Sequence, residues 1–217
     1  MDKNEVSDDM LDRFGAEVEG IEYGTNEYIE KFNKFCQGYE QLLVKHIFIS
    51  GTSWPGILFH DDRKSIDYLY SRDDIDKNRI GCCGLSLGGF RSAHIAALDD
   101  RIKCSVVAGW MTTYSSLLFS HLRNHTYMIY VPGITKFLDL PDIMSITAPN
   151  PVFIQQCLQD RLFPMDGMKQ ACINIQKVYA DMGQLEKYKY RFYDNGHEFN
   201  LSMQEDAFSW LDKWLKN

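Results

Sequence analysis

Ile80-Gly81-Cys82-Cys83-Gly84-Leu85-Ser86-Leu87-Gly88-Gly89-Phe90 joins a short apolar run to a serine between glycines and then to a helix-competent segment, Phe90 to Leu98. That order predicts a strand, a sharp turn and a helix, with Ser86 in the turn. A strained backbone there would project its hydroxyl above the end of the strand. Gly84 and Gly88, two before and two after Ser86, are expected to face the crowded inside of the turn, where side chains would push strand and helix apart. Taken alone, Gly-x-Ser-x-Gly is a weak signal, because both residue types are common. The order of the segments downstream of Ser86 gives it weight.

There, Pro151 to Leu158 reads as a strand leading to Gln159-Asp160-Arg161, and Tyr188 to Tyr193 as a strand leading to Asp194-Asn195-Gly196-His197. Each polar residue falls just past the carboxyl end of its strand, the edge where parallel sheets gather their sites. A serine, an acid and a histidine brought together there suit nucleophilic catalysis. The histidine takes the serine proton, and the acid fixes the imidazole and stabilises its charged form. Asp160 is the candidate acid, with Asp166 and Glu198 as weaker substitutes. The backbone N–H of Leu87 is the candidate oxyanion donor.

Other segments agree with an α/β architecture. Leu58 to Ser71 carries helical spacing, with Asp61 and Asp62 placed to suit a helix dipole; Cys104 to Ala108 reads as a strand. From Met168 to Met182 the apolar positions follow the 3.6-residue period, and Gly183 is a natural stop. Tyr188, Tyr190 and Phe192 alternate with Lys189 and Arg191, as in a strand with one apolar face. Ser202 and Glu205 fit a capping box ahead of an amphipathic helix through Leu215. Val44 to Ser50 fits a strand or the end of a buried helix equally well.

This alternation predicts a mostly parallel sheet with helices on both faces. At 217 residues, with no Pro/Gly/Ser-rich linker, a single domain over 1–217 is expected. Met111 to Asn150 is an aromatic-rich insertion with the role of a lid or substrate wall, and Trp110, Tyr114 and Tyr127 are candidate substrate-binding residues.

A net charge of −7 argues against nucleic acid or an anionic membrane as partner. A small ester fits that balance, and composition leaves the oligomeric state, homo-oligomer included, open. No apolar run approaches the roughly 18 residues of a membrane span, and the first thirty residues lack a secretion pattern. Six cysteines without a C-x-x-C pair read as reduced core residues, which with the missing leader implies a cytoplasmic protein. His121 and His125 are spaced i, i+4, yet no glutamate follows His121 and no third ligand is evident, so no metal or other cofactor is expected. His94, two turns into the helix after Ser86, is expected to point away from the site.

These residues resemble the acetyl xylan esterase and dienelactone hydrolase-like branch of the α/β-hydrolases. The matching stretches are Asp76-Lys77-Asn78-Arg79-Ile80-Gly81 leading into Gly84-Leu85-Ser86-Leu87-Gly88-Gly89, then Asp100-Arg101-Ile102-Lys103, Gly109-Trp110-Met111-Thr112-Thr113, His121-Leu122-Arg123-Asn124-His125, Gln159-Asp160-Arg161-Leu162-Phe163-Pro164 and His197-Glu198-Phe199-Asn200. The resemblance runs from about Gly51 to the C-terminus and implies the α/β-hydrolase fold. It also implies a Ser86-His197-Asp160 triad and an ester hydrolase for small acyl esters such as acetylated sugars.

Family members resemble longer chains, with strands and a His-Gly-rich loop before the region equivalent to Met10-Leu11-Asp12-Arg13-Phe14-Gly15. On that comparison the chain is expected to be N-terminally truncated and to lack the loop that gives the second oxyanion donor. Two alternatives stay open: a hydrolase remnant with little or no turnover, and a serine peptidase of the prolyl-oligopeptidase type, which shares the residue order.

Overall fold

The computed structural model describes residues 5–118 and 120–216; Phe119, inside the expected insertion, lies outside the described residues. Two compact units form, Met1–Ser53 and Trp54–Asn217. In the first, helices α1 (Glu5–Val18) and α2 (Asn26–Ile49) form a hairpin. Thr25 caps α2 by accepting from the Tyr28 N–H. The ring of Phe14 packs against those of Tyr28, Phe32 and Phe35. Val44 to Ser50 forms the end of α2 and its C-cap, because the apolar periodicity begun at Tyr28 carries through it, but no residue of α2 is buried, unlike the buried helix expected as one alternative.

The second unit carries the α/β alternation. Its elements are α3 (Trp54–Ser71), β1 (Gly81–Leu85), α4 (Leu87–Leu98), β2 (Cys104–Ala108), α5 (Tyr114–Leu117), α6 (Leu140–Ser145), β3 (Val152–Cys157), α7 (Met165–Asp181), β4 (Tyr188–Tyr193) and α8 (Leu201–Leu215). All strand pairs are parallel, in the order β1-β2-β3-β4. The register pairs Leu85 with Ala108, Ala108 with Gln155 and Cys157 with Tyr193, so the strands end together at one carboxyl edge.

Side chains of successive strand residues face opposite sides of the sheet. On one side Val107 and Ile154 join a core with Phe90 of α4 and Cys172 and Ile175 of α7. On the other, Cys104, Val106 and Phe153 pack against Ala207 and Trp210 of α8. Every residue of β2 and β3 is buried, as expected of strands covered on both faces.

Several local expectations change. Helix α3 starts at Trp54, with Pro55 accommodated in its first turn. Asp61 and Asp62 therefore lie in its middle rather than near its positive end; Asp62 instead forms an ion pair with Arg91 of α4. Helix α8 is capped by Asn200, whose side chain accepts from the Met203 N–H, so Ser202 and Glu205 form no capping box. Cys36 is exposed on α2, unlike the core position expected of it; Cys104, Cys157 and Cys172 are buried and all six thiols are free.

The segment 111–150 folds as α5, α6 and short 3₁₀ turns. Met111, Leu117, Ile129, Leu140 and Met144 bury into the main core, so much of the insertion is built into the domain. Asp139 joins its two helices: its carboxylate accepts from the N–H groups of Leu140 and Tyr114, at 2.7 and 2.6 Å.

Candidate active site

Ser86 sits between β1 and α4 with φ 56° and ψ −119°, the only non-glycine residue at positive φ among the described residues. Such a conformation is costly for a residue with a Cβ, and neighbours on both sides enforce it. The Ser86 N–H donates to the Ala108 carbonyl at 2.9 Å, extending the β1-β2 ladder, and its own carbonyl accepts from the Phe90 N–H at 2.9 Å, opening α4. Leu87 is the first residue of that helix, so its N–H stands outside the helical hydrogen-bond ladder.

The two glycines flanking Ser86 do different jobs, contrary to the sequence expectation. A Cβ on Gly84 would lie 2.2 Å from the carbonyl oxygen of Gly88, whereas a Cβ on Gly88 would meet nothing within 4 Å. The second crowded position is Gly89, whose Cβ would come within 2.9 Å of the Ala108 oxygen and the Trp110 Cβ.

Asp160 stands in the turn after β3. Three hydrogen bonds hold this turn: the Asp160 N–H to the Cys157 carbonyl, the Leu158 N–H to Tyr193 and the Gln159 N–H to Asn195. His197 lies on the loop between β4 and α8. Its Nδ1 is 2.7 Å from Oδ2 of Asp160, while the Leu162 N–H donates to Oδ1 at 2.8 Å. An ionised carboxylate only accepts, so the imidazole proton sits on Nδ1 and leaves the Nε2 lone pair for a second partner. Glu198 is occupied otherwise, accepting from the amides of Asn195 and Asn200, and Asp166 lies in the first turn of α7.

Gly109 links the imidazole to the serine strand. It has φ 54°, and a Cβ there would fall 3.4 Å from Cε1 of His197 and 3.0 Å from Cδ1 of Leu85. Its neighbour Ala108 is the residue that accepts from the Ser86 N–H. Ser86, Asp160 and His197 thus gather at one sheet edge, with Asp160 and His197 directly bonded and no hydrogen bond formed between the Ser86 hydroxyl and the imidazole. Such contacts commonly tighten only once substrate is bound.

Of the aromatic candidates, Trp110 and Tyr114 are buried, at 2% and 5% exposure, while Tyr127 is 42% exposed. Trp110 meets Phe163 and His125 edge-on, and Phe163 lies 6.1 Å from the His197 ring. Sequence reasoning did not single out Phe163 or the Leu162 N–H; their position directly after Asp160 was the available signal. The ring of His125 is committed to the Leu162 carbonyl through Nε2 at 3.1 Å. His121 pairs through Nδ1 with the Ser120 hydroxyl at 2.5 Å. Among the described residues no group of three His, Cys, Asp or Glu side chains forms a metal site. His94 is buried between Phe59 and Phe90, with Nδ1 bonded to the Phe90 carbonyl at 2.8 Å; burial pushes its pKa down to about 4.

Solved structures share this arrangement of strands and helices. A CE15 glucuronoyl esterase from Caldicellulosiruptor kristjansonii superposes with a TM-score of 0.62 at 15% identity, over 76% of this chain and 51% of that one. A protein of Bacteroides fragilis NCTC 9343 described as a "putative acetyl xylan esterase" superposes with a TM-score of 0.60 at 20% identity, over 71% of this chain and 40% of that one. The chain has the α/β-hydrolase fold.

By sequence, the chain is 30% identical over 177 residues to the Bacillus subtilis (strain 168) protein described as "Putative hydrolase YtaP". The match covers 81% of this chain and 59% of that relative, so the chain spans about three fifths of the relative's length. No protein-family model matches it. In this fold Ser86 occupies the turn between β1 and α4, Asp160 follows β3 and His197 follows β4.

Proposed function

We propose that this protein is a serine ester hydrolase acting on small acyl esters, acetylated sugars among them, through Ser86, His197 and Asp160. One observation carries the reading. A serine held at positive φ on a strand-to-helix turn shares its sheet edge with an imidazole whose Nδ1 proton is fixed on a buried carboxylate.

In this mechanism Nε2 of His197 takes the proton of the Ser86 hydroxyl as Oγ attacks the ester carbonyl. Asp160 stabilises the imidazolium that forms. The Leu87 N–H donates to the developing oxyanion. Collapse of the tetrahedral intermediate breaks the bond to the alcohol, which leaves with the proton held on His197. Water then loses a proton to Nε2 as it attacks the acyl-serine, and the acid is released with Ser86 restored. Phe163 stands between the rings of His197 and His125, 6.1 Å from the first and 4.9 Å from the second, and so connects the imidazole to the insertion.

Hydrolysis of p-nitrophenyl acetate by the purified chain, beside Ser86→Ala, tests this. Turnover that disappears with the hydroxyl is expected. Equal, near-background rates for the two proteins would overturn the esterase reading in favour of a binding role without turnover.

A further inference from the structure

We propose that His125 is a positioning residue that holds Asp160 in place through the backbone of Leu162. The role rests on Asp160 being the acid of the serine esterase triad. Three hydrogen bonds run in series. Nε2 of His125 lies 3.1 Å from the Leu162 carbonyl oxygen, the Leu162 N–H donates to Asp160 Oδ1 at 2.8 Å, and Asp160 Oδ2 accepts from His197 Nδ1 at 2.7 Å. A carbonyl oxygen only accepts, so His125 must carry its proton on Nε2.

The backbone of Leu162 has little else to orient it. It lies in an irregular turn between β3 and α7, and neither its N–H nor its carbonyl enters a backbone-to-backbone hydrogen bond among the described residues. The carboxylate of Asp160 therefore holds the peptide before the Leu162 Cα, the imidazole of His125 holds the one after it, and together they fix Leu162 on both sides. Release of the Leu162 carbonyl would let this backbone shift, withdraw the N–H from Oδ1 and free the carboxylate to turn away from His197.

His125 is itself well fixed. Its ring packs 4.9 Å from Phe163 and meets Trp110 edge-on at 6.3 Å, and the 3₁₀ turn Leu122–Asn124 precedes it. The ionisable groups facing it are His121 from the same insertion, Asp160 after β3 and His197 after β4. Burial favours the neutral ring, which keeps a single N–H, and the Leu162 carbonyl claims it. Through this contact the insertion governs the geometry of the acid.

Two substitutions separate donation from packing. His125→Gln keeps an N–H donor near the position of Nε2, whereas His125→Phe keeps the ring against Phe163 and Trp110 and loses the donor. With p-nitrophenyl acetate, His125→Gln is expected to stay within about threefold of the wild-type kcat. His125→Phe should lose roughly tenfold in kcat with KM little changed, on the scale of one net hydrogen bond. Proton NMR gives a readout that needs no turnover: the His197 Nδ1 proton bonded to Asp160 should be visible in wild type and His125→Gln and be lost to exchange in His125→Phe. Thermal melts confirm that each variant is folded.

Retention of that proton and of kcat in His125→Phe, or a loss in folded His125→Gln as large as in His125→Phe, would overturn the role. Absence of Ser86-dependent turnover in wild type would instead defeat the esterase reading, and the NMR comparison would still decide the part played by His125.

Discussion

Nδ1 of His197 lies 2.7 Å from Oδ2 of Asp160, with the carboxylate side chain fully buried and the imidazole 23% exposed. The contact arises from the sheet. Cys157 and Tyr193 are paired at the ends of adjacent parallel strands, so the loops carrying Asp160 and His197 start side by side. A buried acceptor fixes the proton on Nδ1, and in the proposed reaction Nε2 is the nitrogen that takes the Ser86 proton.

Asp160→Asn tests the tautomer directly. An amide in this position offers an N–H to Nδ1 as readily as a carbonyl, which favours the imidazole with its proton on Nε2 and removes the base. On p-nitrophenyl acetate, kcat is expected to fall by roughly 10³- to 10⁴-fold with KM nearly unchanged. A drop confined to KM would show that the residue shapes binding instead.

The glycines of the serine turn differ in what they tolerate. Gly84→Ala would drive a Cβ to 2.2 Å from the backbone oxygen of Gly88, so strand and helix must separate. The expected cost is about 3 kcal/mol, with loss of hydrolysis. Gly88→Ala meets open space in the first turn of α4 and should be neutral or more stable by up to ~1 kcal/mol. Urea unfolding of both variants checks the contrast.

Much of this was legible in the sequence because it depends on local order. A strand, a glycine-flanked serine and a helix specify Ser86, and two more strands ending in polar turns specify Asp160 and His197. The alternation of Tyr188, Tyr190 and Phe192 and the period of α7 fixed element types, although α7 begins at Met165 and not Met168. What the sequence concealed was contact between distant segments. Nothing local to Gly88 says that its Cβ direction is open while that of Gly89 is blocked by Ala108 and Trp110. Asp62 looked like a helix-dipole partner until Arg91, twenty-nine positions on, was seen to claim it. Similarly, the i, i+4 spacing of His121 and His125 could not reveal that Leu162, thirty-seven positions beyond His125, occupies the second ring.

Ser86 should show a trade between stability and activity. At φ 56° its Cβ is strained, a cost of about 1–3 kcal/mol that glycine would not incur, against which glycine adds some flexibility to the unfolded chain. Ser86→Gly is therefore expected to be inactive yet more stable than wild type by about 1 kcal/mol. Calorimetric melting compared with Ser86→Ala, which keeps the Cβ and gains nothing, would expose the difference. Equal midpoints for the two variants would count against strain at the turn.

His94 gives the stability a pH dependence independent of the site. Its ring is stacked on Phe59 and packs at a tilt against Phe90, its Nε2 is buried without a hydrogen-bond partner, and burial pushes its pKa down to about 4 from an ordinary 6.5. Above pH 6.5 the residue is neutral in folded and unfolded chains and adds no slope. Between pH 6.5 and 4 the unfolded chain binds a proton that the folded chain refuses, so stability falls as the solution is acidified. From pH 7 to pH 5 this site should account for a loss of about 2 kcal/mol. In His94→Leu the loss should be absent, so that unfolding free energies measured at the two pH values lie closer together by that amount. An unchanged difference would mean that the imidazole gains its proton within the folded core.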